Sequence, residues 1–471
     1  MSDGLQVVGG AGGLEVEYDD LGAAAHLLQS AAAEVVETAA LAQGVVTDGE
    51  LLASAALDPF GFAKVEAAVL AAVAGPHGLL SAAGRLELRS IRLREAVVRY
   101  QVVDRLGADL HHAKQWAEGV AAAGALPLLP FVAVSPLGIE GVRWVRGGKA
   151  DAFLAEHPGI AEDVAGGSPA FLDAALMLGL GPLVGVAAGA VVAATGRSGL
   201  PTSIEDATGL LGALYPAGAA VVTPRGTDTT APPAPRGVGD LLSGLDHRDA
   251  QARGRAAGEI DVRRLTRTLP DGSTTTSWVV DLPGTKQWQL DPRHRHGLND
   301  LATNLTTIAG DPTPRVDGVT RALELAGVAP DEPVMLVGHS QGGLVAMRAA
   351  QEYARDGRFA VTHVVTAGSP IARMDVPDSV TVLSLENRYD LVPRLEGDPP
   401  PDEANRVTVL FDAQHHEVGL NHATATTYLP AARQVDDAMG DPSLAAWREG
   451  ASAFLEADHV HTTVWDIRNA R

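Results

Sequence analysis

The stretch Val334 to Met347, VMLVGHSQGGLVAM, leaves the chain little freedom. Four apolar residues run straight into Gly338-His339-Ser340-Gln341-Gly342, and an amphipathic stretch of small residues follows. The pattern predicts a strand, a sharp turn and a helix, with a serine at the apex. Gly338 and Gly342 leave room for a turn too tight for side chains, so Ser340 is expected in a strained conformation with its hydroxyl exposed. In a chain with 52 glycines a bare G-x-S-x-G would carry little weight. The strand before it and the helix after it carry the reading.

A length of 471 residues exceeds one ordinary domain, and two or three are expected. Apolar residues make up 46% but aromatics only 4%, so burial must rest on Ala, Val and Leu, which suits close-packed helices. The formal charge, 36 − 58 = −22, repels phosphate backbones and argues against a nucleic-acid partner. Without cysteine there are no disulfides, thiolate chemistry or cysteine-held metals. The opening MSDGLQVVGGAGG has no basic segment before an apolar run, so a secretory signal peptide is not expected, and export would use another route.

Residues 1–125 read as a helical hairpin or small bundle. Asp19 and Asp20 can cap a helix in which Leu21, Leu28 and Val35 repeat every seven residues, with Ala24, Ala25 and Ala32 on the same face. Asp58-Pro59-Phe60-Gly61 breaks the pattern, and after Gly75-Pro76 a second long helix begins, with Leu79, Leu86, Leu93 and Tyr100 as its seam. At its end stands Tyr100-Gln101-Val102-Val103-Asp104, a Y-x-x-x-D pattern. This arrangement resembles the N-terminal helical targeting domains of actinobacterial type VII secretion substrates. The resemblance implies a secreted or cell-envelope location by a signal-peptide-independent route, and a small helical partner bound through residues 15–120. A cytoplasmic location is the alternative.

Residues 126–223 form an apolar, Ala/Gly-rich helical region. Within it, 174–195 is 22 residues long without a charge, long enough to span a membrane or contact one. Pro182 and the interspersed glycines favour a buried helical hairpin broken at Gly181-Pro182. Residues 224–257 are expected as a linker, because Pro224 to Gly237 is rich in Pro, Thr and Gly without apolar period.

From Gly258 to the end at 471 the texture changes. Ile260, Val262 and Leu265 lead to a Leu269-Pro270-Asp271-Gly272 turn, and Trp278 to Leu282 returns as a hairpin. Strands are predicted at 334–337, 363–367, 380–385, 406–411 and 461–467, with helices between several of them, as at 316–326 and 344–353. Such alternation gives an α/β domain with a mainly parallel sheet and a site at the strands' carboxyl ends.

A serine hydroxyl needs a base within hydrogen-bond reach and a third group to orient that base. In an α/β-hydrolase fold the order along the chain is Ser, acid, His. Asp390, just past the apolar run Val380 to Leu385, is the expected acid, with Glu386 and Asp412 as competitors. His422 is the expected base, because it sits deepest in the loop after 406–411; His415 and His416 are its competitors. Gln341 N–H and Thr285 N–H, the latter with its hydroxyl as helper, are the expected oxyanion donors.

The segments VVDLPGT (279–285), LVGHSQGG (336–343), TAGSP (366–370) and NRYDLVPRL (387–395) together resemble the class 3 lipases and their relatives. Actinobacterial hydrolases similar to the inositol-deacylase group share the elbow. The resemblance implies the triad Ser340, Asp390 and His422 and an acyl-ester substrate, a glyceride or phospholipid. Leu282-Pro283 stands where those enzymes carry Phe-Arg. Trp288, His294, Arg295, His296 and Asn299-Asp300-Leu301 are expected to border the site. The spacing of His294 and His296 suits metal ligation, but no third ligand is near, so neither a metal nor a cofactor is expected. A second functional reading makes the helical half the working part, an export or interaction module with the hydrolase domain as passenger.

Overall fold

The computed structural model describes residues 4–98, 218–252, 258–286, 298–396, 398–438 and 440–470. The Y-x-x-x-D pattern at 100–104, the apolar stretch 174–195, and Trp288, His294, Arg295 and His296 lie outside the described residues. By its contacts the chain forms two compact units, Leu14–Leu110 on the one hand, and Met1–Gly13 with His111–Arg471 on the other.

The helical unit contains α1 (Leu14–Gly44), α2 (Gly49–Ser54), α3 (Pro59–Ala74) and α4 (residues 79–98). Asp48 caps α2 by accepting from Glu50 and Leu51 N–H, and Asp58 caps α3 by accepting from Gly61 N–H, with Pro59 at the first helical position. The buried stripe on α1 is Ala25, Ala32 and Ala39, seven residues apart, and Ala83 and Ser90 are the buried positions of α4. The larger Leu28, Val35, Leu86 and Leu93 flank it half-buried, and Leu21, expected in the seam, is exposed. The reason is distance. Alanine lets the two backbones approach until the Ser90 hydroxyl donates to the Ala25 carbonyl over 2.7 Å.

The second unit is built on a nine-stranded sheet of order β1-β8-β7-β6-β5-β4-β3-β9-β2. Its strands are β1 (Leu5–Gly9), β2 (Ala220–Thr227), β3 (Gly258–Thr268), β4 (Thr274–Leu282), β5 (Pro333–His339), β6 (Ala360–Ala367), β7 (Thr381–Asn387), β8 (Arg406–Phe411) and β9 (His459–Asn469). The sheet is mixed: β4 through β8 run parallel, and β1, β3, β9 and β2 join antiparallel at the two flanks. Its helices are α5 (Val238–Gln251), α6 (Leu301–Ile308), α7 (Pro314–Ala326), α8 (Gln341–Asp356), α9 (Leu429–Asp437) and α10 (Pro442–Gly450).

Both faces of the sheet are covered, which is why its central strands read as continuous apolar runs. On β5, Val334 and Leu336 join one core with Val316, Val319 and Leu323 of α7 and Leu344 and Met347 of α8. Met335 and Val337 point the other way, into a core with Leu241, Leu242 and Leu245 of α5, Val435 of α9 and Trp447 of α10.

Two features escape a reading by composition. The stretch 224–257, expected as a linker, carries the end of β2 and all of α5. The Pro-rich run fits at a sheet edge, where Pro224 sits at a register shift against β9 and loses no ladder bond that an interior strand would need. The second feature is β1, which places residues near the start of the chain in the nine-stranded sheet against β8, so the helical unit interrupts this domain rather than preceding it.

Candidate active site

Parallel strands bring their carboxyl ends to one edge of the sheet, and the elbow, the acid loop, the histidine loop and the 283–286 loop all leave from that edge. At the end of β5 the chain turns through Ser340, whose φ of 56° makes it the sole positive-φ residue other than glycine among the described residues. That backbone costs about 1–3 kcal/mol and persists because its surroundings over-determine it. Ser340 N–H donates to the Ala367 carbonyl of β6 over 3.0 Å. A Cβ on Gly338 would stand 2.3 Å from the Gly342 carbonyl carbon, and one on Gly342 1.8 Å from the Leu282 carbonyl oxygen, so neither position accepts a side chain. Helix α8 starts at Gln341 with Ser340 as its N-cap, and Gly343 N–H donates to the Ser340 carbonyl over 3.1 Å.

Asp390 follows β7 and is 1% exposed. Its Oδ1 accepts from Val392 N–H over 3.0 Å, and its Oδ2 accepts from His422 Nδ1 and from the Tyr428 hydroxyl, each over 2.6 Å. Burial, and then the Asp390 charge, push the Tyr428 hydroxyl well above its ordinary range, so it stays a donor. Gly368 makes the approach possible: with φ of 59°, its place for a Cβ lies 2.8 Å from the Tyr428 hydroxyl and 2.9 Å from Asp390 Oδ2.

His422 ends a helical turn, Val418–Asn421, and its Nε2 is buried with no hydrogen-bond partner among the described residues. Its loop is held by Asn387, at the end of β7, which donates to the Ala413 and Asn421 carbonyls over 2.8 and 3.0 Å and accepts from Ala413 N–H over 3.0 Å. Asn421 in turn accepts from His415 N–H over 2.7 Å. Beside His422 lies His339, held uncharged by burial, and secondarily by His422, with its pKa down to about 3.

Of the competing residues, His415 is half-buried and His416 exposed, and neither ring has a contact with Asp390 or Ser340. Asp412 is on the surface, ion-paired to Arg388 at 3.1 Å. Glu386 is buried and accepts from the Ser384 hydroxyl over 3.2 Å; burial pushes its carboxyl up to about 7. The structure therefore brings Asp390 and His422 together and leaves the four competitors apart from them.

The 283–286 loop crosses the elbow. A Cβ on Gly284 would stand 3.0 Å from Ser340 Cβ and 3.1 Å from the His339 carbonyl, so a side chain there would push its neighbours back by a few tenths of an ångström. The loop is pinned by Asn299, whose Nδ2 donates to the Gly284 carbonyl over 3.1 Å and whose own carbonyl accepts from Lys286 N–H over 2.9 Å. Asp300 caps α6 by accepting from Thr303 N–H over 3.0 Å. Among the described residues no cluster of three or more His, Asp or Glu side chains is arranged to hold a metal ion. His339, Asn387, Asn421 and Tyr428 were not singled out from the sequence for a role here. Of these, Tyr428 alone had a signal, its proximity to His422 in sequence.

A family model described as alpha/beta hydrolase matches residues 288–387, which include α6, α7, the elbow and β7. The second unit is an α/β-hydrolase fold, and the long helices of the other unit lie in the chain between its β1 and its β2. No curated protein and no solved structure matches the chain.

Proposed function

We propose that the chain is a serine ester hydrolase acting on lipid or phospholipid acyl esters. The observation that carries this reading is the 2.6 Å bond from His422 Nδ1 to the buried Asp390, with Nε2 enclosed and unpaired, on the sheet edge where Ser340 is held at positive φ. Donation from Nδ1 leaves the Nε2 lone pair as the base. In the first half-reaction Ser340 Oγ attacks the acyl carbonyl carbon while its proton passes to His422 Nε2. The resulting imidazolium is stabilised by Asp390 Oδ2, which accepts from His422 Nδ1. The tetrahedral oxyanion accepts from Gln341 and Thr285 N–H. Collapse expels the alkoxide, which takes the proton from His422, and leaves Ser340 acylated. Water then attacks the acyl carbon while its proton passes to His422 Nε2, and collapse breaks the bond to Ser340 Oγ, which takes that proton back and releases the carboxylic acid. No other reactant is needed.

The test is hydrolysis of short- and long-chain acyl p-nitrophenyl esters by the wild type and by Ser340→Ala. The reading expects the variant to lose about 10⁴-fold or more in kcat. Equal rates in both would remove it.

A second reading concerns the helical unit, and its surface favours it: Leu27, Leu41, Leu57, Phe60 and Leu70 are exposed, Leu57 at 90% and Phe60 at 83%. Apolar side chains so arranged on a bundle suit an interaction module. This unit would bind a small helical partner through residues 15–120 and direct export by a type VII-like route. Co-purification of the full chain with helical proteins encoded beside it tests this; a chain that binds none of them and stays in the cell contradicts it.

A further inference from the structure

We propose that Asn387 is a positioning residue that sets the alignment of His422 on Asp390, by locking the turn that carries the acid to the loop that carries the base. The inference rests on the ester-hydrolase reading above and deepens it.

Asn387 is the last residue of β7 and is 2% exposed. A side-chain amide has two N–H donors and an oxygen with two lone pairs, and here all four are used. Its Nδ2 donates to the Ala413 carbonyl over 2.8 Å and to the Asn421 carbonyl over 3.0 Å. Its Oδ1 accepts from Ala413 N–H over 3.0 Å and from Tyr389 N–H over 3.3 Å. Backbone carbonyls only accept and backbone N–H groups only donate, so the amide has a single orientation; turned over, it would set like against like at all four contacts. The backbone of the same residue adds a further bond, its carbonyl accepting from Asp390 N–H over 2.9 Å.

These contacts fall on three pieces of chain. Tyr389 and Asp390 belong to the turn of the acid, Ala413 to the loop leaving β8, and the Asn421 carbonyl to the peptide that enters His422. On the other side of His422 its own carbonyl accepts from His339 Nε2 over 2.8 Å. Both peptide groups flanking the His422 Cα are therefore gripped by side chains rooted at the ends of β7 and β5. With the backbone fixed, χ1 and χ2 of His422 remain, and the 2.6 Å bond to Asp390 sets them. Asn387 thus places the base and Asp390 orients it. Without the amide, two carbonyls and two N–H groups lose their partner, and the loop shifts to satisfy them. A shift on the order of 1 Å at a reacting group costs about 10²-fold in rate.

The experiment compares wild type, Asn387→Ala, Asn387→Ser and Asn387→Asp, each also combined with His422→Ala. It measures kcat and KM on p-nitrophenyl butyrate, urea unfolding, and the far-downfield proton NMR signal of His422 Nδ1–H, identified by its absence from His422→Ala. Asn387→Ala and Asn387→Ser are expected to lower kcat about 10- to 100-fold with KM within about twofold. Asn387→Asp keeps acceptors for Ala413 and Tyr389 N–H but sets an oxygen against two carbonyls, so it should be equally poor; it carries the test where the smaller side chains do not fold. In all three the downfield signal should move or broaden. Combined with His422→Ala, none should cost more than about a further twofold, because the residue acts through the base. A merely structural role would instead lower stability, leave the downfield signal in place and multiply with His422→Ala. Wild-type kcat in a folded Asn387 variant, or multiplying defects, overturns the inference while leaving the hydrolase reading in place. A wild type that hydrolyses no ester removes both.

Discussion

His339 stacks obliquely on His422, with ring centroids 4.5 Å apart, and donates its Nε2–H to the backbone carbonyl of that same residue over 2.8 Å. The residue beside the elbow serine thus holds the loop of the proposed base by both its face and its edge. His339→Phe keeps an aromatic face and deletes the donor. We expect kcat to fall about tenfold with KM little changed, and stability to fall by about 1 kcal/mol, the net worth of one hydrogen bond. Steady-state kinetics and urea unfolding check both.

The same histidine makes stability sensitive to acid. Its pKa is about 6.5 in an unfolded chain and about 3 here. Above pH 6.5 both states are neutral; below it the unfolded chain takes a proton that the folded chain refuses, so stability falls as pH drops from 6.5 toward 3. Unfolding curves at pH 7, 5.5 and 4.5 should show a steeper loss for wild type than for His339→Phe.

Glu386 acts in the opposite sense. Its carboxyl moves from 4.5 to about 7, chiefly through burial. Its contribution is fully present below pH 4.5 and is lost as pH rises through 7, at a cost on the order of 3 kcal/mol. Glu386→Gln keeps an acceptor for Ser384 and carries no charge. The variant should match wild type near pH 4.5 and exceed it in unfolding free energy at pH 8.

Tyr428 shares Asp390 Oδ2 with His422. Tyr428→Phe leaves the carboxylate with one donor fewer on that oxygen, so it stabilises the imidazolium more strongly. The acidic limb of the kcat/KM profile should move to higher pH, with a loss at neutral pH of about tenfold or less. A flat response would mean that the hydroxyl only fills space.

The three loop histidines separate cleanly. His422→Ala should lower kcat by several orders of magnitude with the fold intact, as loss of a triad base does. His415→Ala and His416→Ala should each lose at most about tenfold, below the ~10²–10⁴ of general-base catalysis.

Much of this domain was legible because its signals are local. The apolar run before Gly338, the glycines around Ser340 and the alternation of β3 and β4 each follow from one short stretch. The order of Asp390 and His422 after the serine follows from the topology of the fold. What stayed hidden depends on residues far apart in sequence. Nothing near Leu5 announces that it pairs with Phe411, and nothing near Asn387 announces Ala413 or Asn421. Proline in 224–237 suggested a linker because composition does not distinguish a free segment from a sheet edge. On α1, the expected face holds for Ala25 and Ala32, which are buried together with Ala39, whereas Leu21, expected in the same seam, is exposed.

The central claim is that Ser340 is a nucleophile activated by His422. Labelling of the full chain with a fluorophosphonate ester, followed by mass mapping of the adduct, tests it most directly. The account predicts one adduct per chain on Ser340, none in Ser340→Ala, and labelling slowed by about 10³-fold or more in His422→Ala. A wild type that takes up no label, or that carries it elsewhere with Ser340 unmodified, would contradict it.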